Sequence, residues 1–400
     1  MLLPEDPARA FVPYPAAPVA SAQDGPLAGL TFGAKDLFDV AGYPTGGGSP
    51  HVLAMSGIKG TTAPTVQRLL DAGARFVGKT HTDELAFSMN GKNAHFGTPV
   101  NGAAPDRIPG GSSSGSASAV SNGLCDFAIG TDTGGSVRAP ASHCGLFGIR
   151  PTHGRVSLER ALDLAPSLDT CGHFARDGQT FQRVGEVLLG PDANPLPDSP
   201  RLVLAADCFA MLDTEVRGAL AIVVQAFERS LGQAGMVEVA VNGFEPLYWA
   251  FRRVQGREAW LTDGPMIERY APPLGPGVAE RFLYSRAVTD DEVADATRCR
   301  AEFRERLDGI LGSDGVLVLP TMPDIAPLVA ENEAVLDIYR NQAINLLCLA
   351  GLAGTPQVSM PLATRQGAPL GISLMGPRGS DLSLVRLAAR LAGEAAEPLG

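Results

Sequence analysis

Two glycine-rich stretches place serine hydroxyls where they could attack a substrate. One is GTDTGGSVRAPAS at 130–142, in which Ser136 follows two glycines, and the other is PGGSSSGSASAV at 109–120. A serine hydroxyl is a weak nucleophile until a base takes its proton. No histidine lies within six residues of Ser136. The pattern therefore favours nucleophilic catalysis only if a base comes from elsewhere in the chain.

The two stretches are separated by a single predicted strand at 125–131, and the first of them opens a predicted helix. Ligands bind at the carboxyl ends of strands in open α/β sheets, so both loops are expected at one sheet edge. Glycine allows backbone N–H groups to turn toward a developing oxyanion. The alternative is that both stretches are only tight turns between closely packed helices.

Helix and strand patterns alternate along most of the chain, which predicts an α/β domain with a layered sheet. Residues 1–28 resemble an irregular, proline-rich arm. No linker or internal repeat interrupts the rest, so we expect a single domain over 1–400. Strands are predicted within 30–40 and at 75–79, 125–131, 201–207, 236–241, 315–321, 356–362 and 370–376. Helices are predicted at 61–74, 213–235, 245–262, 288–311, 332–352 and 380–396, and within 111–124.

Composition argues against several classes of protein. The net charge is −11, which disfavours a nucleic-acid groove because phosphate binding needs clustered basic residues. No stretch is as long and apolar as a membrane helix, and the first residues lack the pattern of a secretory signal. The six histidines show no HxxxH spacing, so we expect no metal site. The six cysteines form no CxxC pair, which is typical of reduced thiols in a cytoplasmic protein.

Two short motifs match familiar patterns in the wrong context. GARFVGKT at 73–80 has the letters of a phosphate-binding loop, but a predicted helix precedes it and its middle has strand residues. GSSSG at 111–115 has the letters of a nucleophile elbow, but a loop, not a buried strand, precedes it. A Ser-His-Asp hydrolase centred on Ser113 stays open, because His143 and His153 follow it.

The two loops together resemble the amidase signature family. The resemblance continues through CGLFGIRPTHGRVS at 144–157 and includes FGAKDLFDV, GVLVLPTMP and GAPLGISLMGPRGSDLSL, so that it spans nearly the whole chain. It implies a signature core at about 30–160 and a single α/β domain. In that fold a central mixed β-sheet is covered by helices on both faces. The region at about 200–350 is expected to cover the core and to line the substrate pocket.

The resemblance also implies roles for individual residues. Ser136 matches the nucleophile, Ser112 the bridging serine with a cis peptide bond, and Lys35 the base. Asp132, Arg138 and Ser113 match supporting positions. The oxyanion hole matches the backbone N–H groups of Thr133, Gly134, Gly135 and Ser136. No cofactor or metal is implied.

Lys35 can act as a base only if its amine is neutral. Its pKa must fall from ~10.4 towards 7, a change of roughly 4 kcal/mol. Burial disfavours the charged form and so supplies a shift in this direction. The apolar neighbours Phe32, Leu37, Phe38 and Val40 agree with a buried position.

The implied substrate is a small-molecule amide. GLTFGAKDLFDVAG and LDTCGHFARD resemble plant-type indole-3-acetamide hydrolases, which favours a neutral primary amide with an aryl or alkyl acyl group. Met89 and Trp249 are candidate pocket residues. The alternatives are a glutaminase-type subunit of a tRNA-dependent amidotransferase, or an amidase for another amide, urea-like or ester substrate. The resemblance disfavours a scaffold without catalytic activity. The oligomeric state stays open, with a homodimer as one alternative.

Overall fold

One mixed sheet runs through the chain in a computed structural model that describes residues 6–396. Its strands follow the order β2-β1-β3-β5-β4-β9-β10-β8-β6-β7. Within the described residues they are β1 (Thr31–Lys35), β2 (Arg75–Thr80), β3 (Phe127–Thr131), β4 (Phe147–Arg150), β5 (Cys171–Ala175), β6 (Arg201–Ala205), β7 (Gly235–Val237), β8 (Gly315–Pro320), β9 (Gln357–Arg365) and β10 (Ala368–Met375).

The strands that carry the serine loops and the lysine are neighbours. β1 pairs in parallel with both β2 and β3, whereas β5, β4, β9 and β10 form an antiparallel run in the middle of the sheet. In the parallel register Ala34 pairs with Ile129. The carboxyl ends of β1 and β3 therefore lie side by side, and the residues that follow both strands share one edge.

Helices pack against this sheet. Within the described residues the α-helices are α1 (Pro50–Ser56), α2 (Pro64–Asp71), α3 (Ser114–Ser121), α4 (Arg138–His143), α5 (Gly178–Leu189), α6 (Ala206–Ala210), α7 (Thr214–Leu231), α8 (Glu245–Tyr270), α9 (Val278–Ala287), α10 (Asp290–Leu311), α11 (Glu333–Ala353) and α12 (Asp381–Ala396). A 3-10 turn covers Glu84–Ala86.

Local sequence accounts for the helix ends near the site. α2 begins at Pro64, whose fixed φ suits a first turn, and the chain leaves it through Gly73 at φ +90°. α10 begins with a capping box in which Thr289 and Glu292 bond each other's backbone N–H groups. α11 is buried along most of its second half, since it crosses the core behind the serine loop.

The predicted fold class, α/β with a central mixed sheet and packed helices, is confirmed. Two strands of the antiparallel run, β4 and β5, were missing from the prediction, and so were the helices α1, α4, α5, α6 and α9. The predicted strand at 236–241 is shorter in the structure, where β7 ends at Val237. Residues 6–28 of the predicted irregular arm carry no helix or strand, and residues 1–5 of it lie outside the described residues.

The fold also explains the misleading phosphate-loop motif. β2 occupies the middle of GARFVGKT and α2 precedes it, so the order is helix then strand. A phosphate-binding loop needs the opposite order, with a helix N-terminus facing the anion. The motif is an ordinary helix-to-strand connection, as the sequence indicated.

We expect Phe127→Ala to destabilise the sheet strongly. The Phe127 ring is fully buried in β3 and stacks on Phe32 with 5.4 Å between ring centroids. Removing it leaves a cavity that should lower the free energy of unfolding by about 3–5 kcal/mol. Denaturant unfolding measures this, with Ile222→Ala as the control because Ile222 is 69% exposed on α7. Equal effects of the two substitutions would contradict this packing.

Candidate active site

Lys35 ends strand β1 with its amine inside the protein. The side chain has no exposed surface, and Nζ lies 2.7 Å from Ser112 Oγ and 2.8 Å from Thr131 Oγ1. Thr131 is the last residue of β3, so the neighbouring parallel strand supplies one partner and the first serine loop supplies the other. The amine is thus held between two hydroxyls at the edge of the sheet.

The surroundings of Lys35 favour its neutral form. Burial lowers the pKa of Lys35 to about 7, against opposing effects of the carboxylates of Asp83, Asp169 and Asp132. None of these acids is hydrogen-bonded to Nζ, whose bonds go to hydroxyls. Desolvation therefore outweighs charge attraction, and a substantial fraction of the amine is unprotonated near pH 7.

Ser112 and Ser136 come from different loops that are joined by their backbones. The Gly111–Ser112 peptide bond is cis, the Ser112 carbonyl accepts a bond from Asp83 N at 3.0 Å, and Ser113 N donates to Ser136 O at 3.3 Å. Both serines are buried, with Ser136 6% exposed. In the described part of the chain no hydrogen bond joins the two hydroxyls directly, so Lys35–Ser112 is the link of the predicted relay that is already made.

The loop before Ser136 presents backbone donors. The N–H groups of Thr133, Gly134 and Ser136 have no hydrogen-bond acceptor among residues 6–396, whereas Gly135 N donates to Asp132 Oδ1 at 2.9 Å. Gly135 has φ +117°, which favours glycine, and a side chain at Gly134 would collide with the Phe251 ring. Of the four predicted oxyanion donors, three are free and Gly135 is engaged in holding the loop.

Asp132 anchors this loop from inside. Its carboxylate accepts from Arg138 Nε at 3.0 Å and Nη2 at 2.8 Å, and from Arg150 Nη1 at 3.2 Å. It also accepts from the backbone N–H of Val137 at 3.1 Å. Although burial raises the pKa of Asp132, the two arginines lower it well below its usual range. The fully buried carboxylate therefore stays charged and fixes the turn on which Ser136 sits.

Several supporting residues were not among the sequence candidates. Arg150 at the end of β4 bonds the carbonyls of Asp132 and Leu168, and Asp169 accepts from Thr133 Oγ1 at 2.6 Å. Thr131 is the second partner of Lys35. Arg150 lies within the family-like stretch at 144–157, which was the available signal, but nothing in the local sequence indicated what its side chain bonds.

A narrow cavity opens beside Ser136. Its walls combine the serine loops with α8 and α11 and mix apolar with polar side chains. They are Ala86, Phe87, Ser88, Met89, Gly134, Ser136, Phe251, Gln255, Arg340 and Ile344. The predicted pocket region at 200–350 thus contributes four of these residues, of which Gln255, Arg340 and Ile344 were not foreseen.

The two predicted pocket residues have different outcomes. Met89 lines the cavity, but Trp249 does not: it is 38% exposed on α8 and packs against Tyr248 and Tyr284. Successive helical residues are rotated by about 100°, so a residue two positions before Phe251 faces roughly the opposite way. Phe251 and Gln255, four positions apart, share the face toward Ser136.

The alternative hydrolase centred on Ser113 has no histidine base. Ser113 Oγ donates to the Thr131 carbonyl at 3.2 Å. His143 Nε2 pairs with Tyr339 Oη at 2.9 Å and His153 Nε2 with the Pro166 carbonyl at 2.8 Å. The Ser113 hydroxyl is thus bonded to the backbone of β3, and its supporting role stays a prediction.

Comparisons with known proteins show the family of this chain. The family model described as Amidase matches residues 13–224 and 268–385. The chain belongs to the amidase family. It is 40% identical to Amidase 1 of Arabidopsis thaliana over 92% of this chain and 93% of the relative. Family membership and this similarity make the chain an amide-hydrolysing enzyme.

Two further relatives bear on the location and the function of this chain. The chloroplastic Outer envelope protein 64 of Arabidopsis thaliana is 34% identical over 93% of this chain and 67% of its own length. The crystal structure of a glutamyl-tRNA(Gln) amidotransferase subunit from Thermotoga maritima has a TM-score of 0.83 and 26% identity, covering 98% of this chain and 88% of that one. Between residues 6 and 396, this amidase has no helix that is long and apolar enough to cross a bilayer. A cytoplasmic location remains a prediction.

We expect Asp132→Asn to lower both stability and activity. The substitution keeps the shape of the side chain but leaves Arg138 and Arg150 buried without a counter-charge. Breaking a buried ion pair in this way typically costs 3–5 kcal/mol of unfolding free energy. Denaturant unfolding and amide hydrolysis measure the two effects.

The matched control for this prediction is Asp314→Asn. Asp314 also pairs with an arginine, Arg201, at 3.3 Å, but both side chains are about half exposed. Solvent screens such pairs, so little change is expected. A comparable loss in both variants would contradict the anchoring role of Asp132.

Proposed function

We propose that this amidase hydrolyses small primary carboxamides to the acid and ammonia through an acyl-enzyme on Ser136. The observation that carries the proposal is the buried amine of Lys35, 2.7 Å from Ser112 Oγ, with its pKa lowered to about 7 by burial. Ser136 lies in the adjacent loop and lines the neighbouring cavity. A neutral amine, a bridging hydroxyl and a nucleophile are the parts that such chemistry requires.

Acylation begins with a proton relay. The lone pair of Lys35 Nζ takes the proton of Ser112, while Ser112 Oγ takes the proton of Ser136. One N–H of the amine remains bonded to Thr131 Oγ1, which orients the lone pair toward Ser112. Ser136 Oγ then forms a bond to the carbonyl carbon of the amide. When substrate enters, a rotation of the Ser136 hydroxyl toward Ser112 Oγ forms the second hydrogen bond of the relay.

The developing oxyanion is stabilised by the free N–H groups of Thr133, Gly134 and Ser136. These donors are held in place by Asp132 and the buried arginines, so they need no reorganisation during the reaction. Ser112 returns a proton to the leaving nitrogen as the C–N bond breaks, and Lys35 reprotonates Ser112. Water then cleaves the ester by the same relay and releases the carboxylic acid.

The apolar walls of the cavity support an aryl or alkyl acyl group. Phe87, Met89, Phe251 and Ile344 are apolar and suit an aryl or alkyl chain. Together with the resemblance to plant-type amidases, these walls favour an amide of the indole-3-acetamide kind. An ammonia-release screen over aliphatic and aromatic primary amides identifies the preferred acyl group.

We expect Ser136→Ala to abolish hydrolysis while the fold stays intact, because the substitution removes the proposed nucleophile beside the free N–H groups. Ammonia release and circular dichroism measure activity and fold. Ser230→Ala is the matched control, since Ser230 is exposed on α7. Substantial turnover by Ser136→Ala would remove the acyl-enzyme from the mechanism.

The pH profile provides a separate test of Lys35. Only the neutral amine accepts a proton, and its fraction rises as pH rises through the lowered pKa of about 7. We therefore expect kcat/KM to increase about tenfold per pH unit below 7 and to level off above it. Lys35→Ala should keep only trace activity near neutral pH, with partial recovery in alkali. A Lys35→Ala profile with the same inflection as the unmodified enzyme would rule out the relay.

A second candidate is the glutaminase-type subunit of a tRNA-dependent amidotransferase. The structural similarity to such a subunit, with a TM-score of 0.83, favours it. In that role the chain would act with partner subunits and pass on the ammonia. Ammonia release from aryl-acetamides by the isolated chain supports the hydrolase, whereas dependence on glutamine and copurification with a second protein support the amidotransferase.

A further inference from the structure

Arg340 is a buried cation without a partner. It lies on α11, is 6% exposed, and makes no hydrogen bond or ion pair with any residue in the described range 6–396. Its Nε is fully enclosed and unsatisfied. An arginine that is buried is normally paired with an acid or with several carbonyls, because an unpaired buried charge is strongly unfavourable. The guanidinium is therefore available to bind a ligand.

The acids near Arg340 already have other partners. Asp337, one turn earlier on α11, pairs with Arg281 Nη2 at 3.3 Å. Glu333, a further turn back, lies 3.7 Å from Lys92 Nζ. Both acids are about half exposed at the outer end of this helix face. The protein thus surrounds Arg340 without neutralising it.

Arg340 shares the narrow cavity with the nucleophile. Ser136, Gly134 and Arg340 all line it, together with Gln255, whose amide has no hydrogen-bond partner in the described part of the chain. A ligand acylated at Ser136 would therefore have two unsatisfied polar side chains within the same small space. The other walls are mostly apolar, so these two side chains decide which polar group the far end of the acyl chain can carry.

On its outer side Arg340 also lines a second cleft, where Arg252 and Arg281 lie among the acids Glu280, Glu333 and Asp337. Burial, together with the nearby Arg281 and Arg252, lowers the pKa of Arg340 well below the ordinary arginine value. Arg252 bonds Tyr248 Oη and stacks over the Tyr284 ring, and Arg281 bonds the Phe87 carbonyl. An anion in the cavity would relieve this repulsion, whereas a neutral group would not.

We infer that Arg340 is a specificity-determining residue that binds a carboxylate at the far end of the acyl group, with Gln255 as a second donor. The preferred substrates are then monoamides of dicarboxylic acids, in which the amide faces Ser136 and the carboxylate faces α11. This inference rests on the proposed Ser136 hydrolase and keeps its aryl or alkyl acyl group, to which it adds a carboxylate at the far end. Arginine suits this role because its planar donors match a carboxylate in two places.

The experiment compares amides that differ only in this charge. Succinamate, glutaramate and 4-(carbamoylmethyl)benzoate are each measured beside a neutral counterpart in which an isopropyl group replaces the carboxylate. Hydrogen bonds to a charged group are worth about 1.5–3 kcal/mol, so for the best-fitting pair we expect kcat/KM to favour the anionic amide by about 10- to 100-fold. Arg340→Met should bring this ratio close to one, and Arg340→Lys should retain part of it.

Arg252→Met is the matched control, because it removes the same charge from a neighbouring residue that does not line the Ser136 cavity. It should leave the ratio within about threefold of that of the unmodified enzyme, since screening by solvent weakens charges outside the cavity. A ratio near one for every pair in the unmodified enzyme, or an unchanged ratio in Arg340→Met, would overturn the inference. If Arg340→Met does not fold, the pairs in the unmodified enzyme decide alone.

Binding to Ser136→Ala separates this inference from the proposed function. Calorimetry with the same amides measures recognition without turnover, and the anionic amide should bind at least tenfold more tightly than its neutral counterpart. Loss of this difference in Ser136→Ala/Arg340→Met supports Arg340 even if no amide is hydrolysed. Equal binding of the two amides to Ser136→Ala contradicts the role of Arg340 while leaving the nucleophile untouched.

Discussion

The proposed chemistry of this chain depends on a lysine amine that is buried against two hydroxyls and no carboxylate. Lys35 bonds Ser112 and Thr131, while Asp83, Asp169 and Asp132 act on it only from a distance. A carboxylate bonded to the amine would have favoured its charged form. Lys79, one strand away, has such a partner in Asp36 at 2.9 Å. The described part of the sheet thus holds two buried lysines, of which one is bonded to a carboxylate and the other to hydroxyls.

This arrangement requires that the nearby acids be held elsewhere. Asp132 is bound by Arg138 and Arg150, and Asp169 accepts from Thr133 Oγ1 and from two backbone N–H groups. Those bonds fix the nucleophile loop and at the same time keep the carboxylates away from Lys35. The buried hydrogen bonds of Asp132 and Asp169 therefore do two things: they support the Ser136 loop, and they favour the neutral form of Lys35.

The sequence was most informative where chemistry is local. The spacing of glycine and serine placed both loops beside β3, and the apolar neighbours of Lys35 indicated that its side chain is buried. Arg150 and Asp169 could not be assigned roles in this way, because each meets the Ser136 loop only after folding. β4 and β5 are four and five residues long and lack a clear alternation, so their pairing between distant parts of the chain was not visible. Trp249 was assigned to the pocket but lies on the other side of α8. The pattern of apolar residues along α8 does not fix which side of the helix faces Ser136.

Three buried arginines lie close to Ser136 and differ in their hydrogen-bond partners. Arg138 donates to Asp132, to the Leu347 carbonyl and to Gln357, and Arg150 donates to Asp132 and to backbone carbonyls. Their bonds lie within the protein, so they serve the loop. Arg340 has the same chemistry and comparable burial but no such bonds in the described structure, and it faces the cavity. Its Nε is buried without an acceptor, which is unfavourable, and the inferred substrate carboxylate would supply one. The Ser136 loop, whose bonds keep the acids away from Lys35, thus lies beside a cation that is open to a ligand.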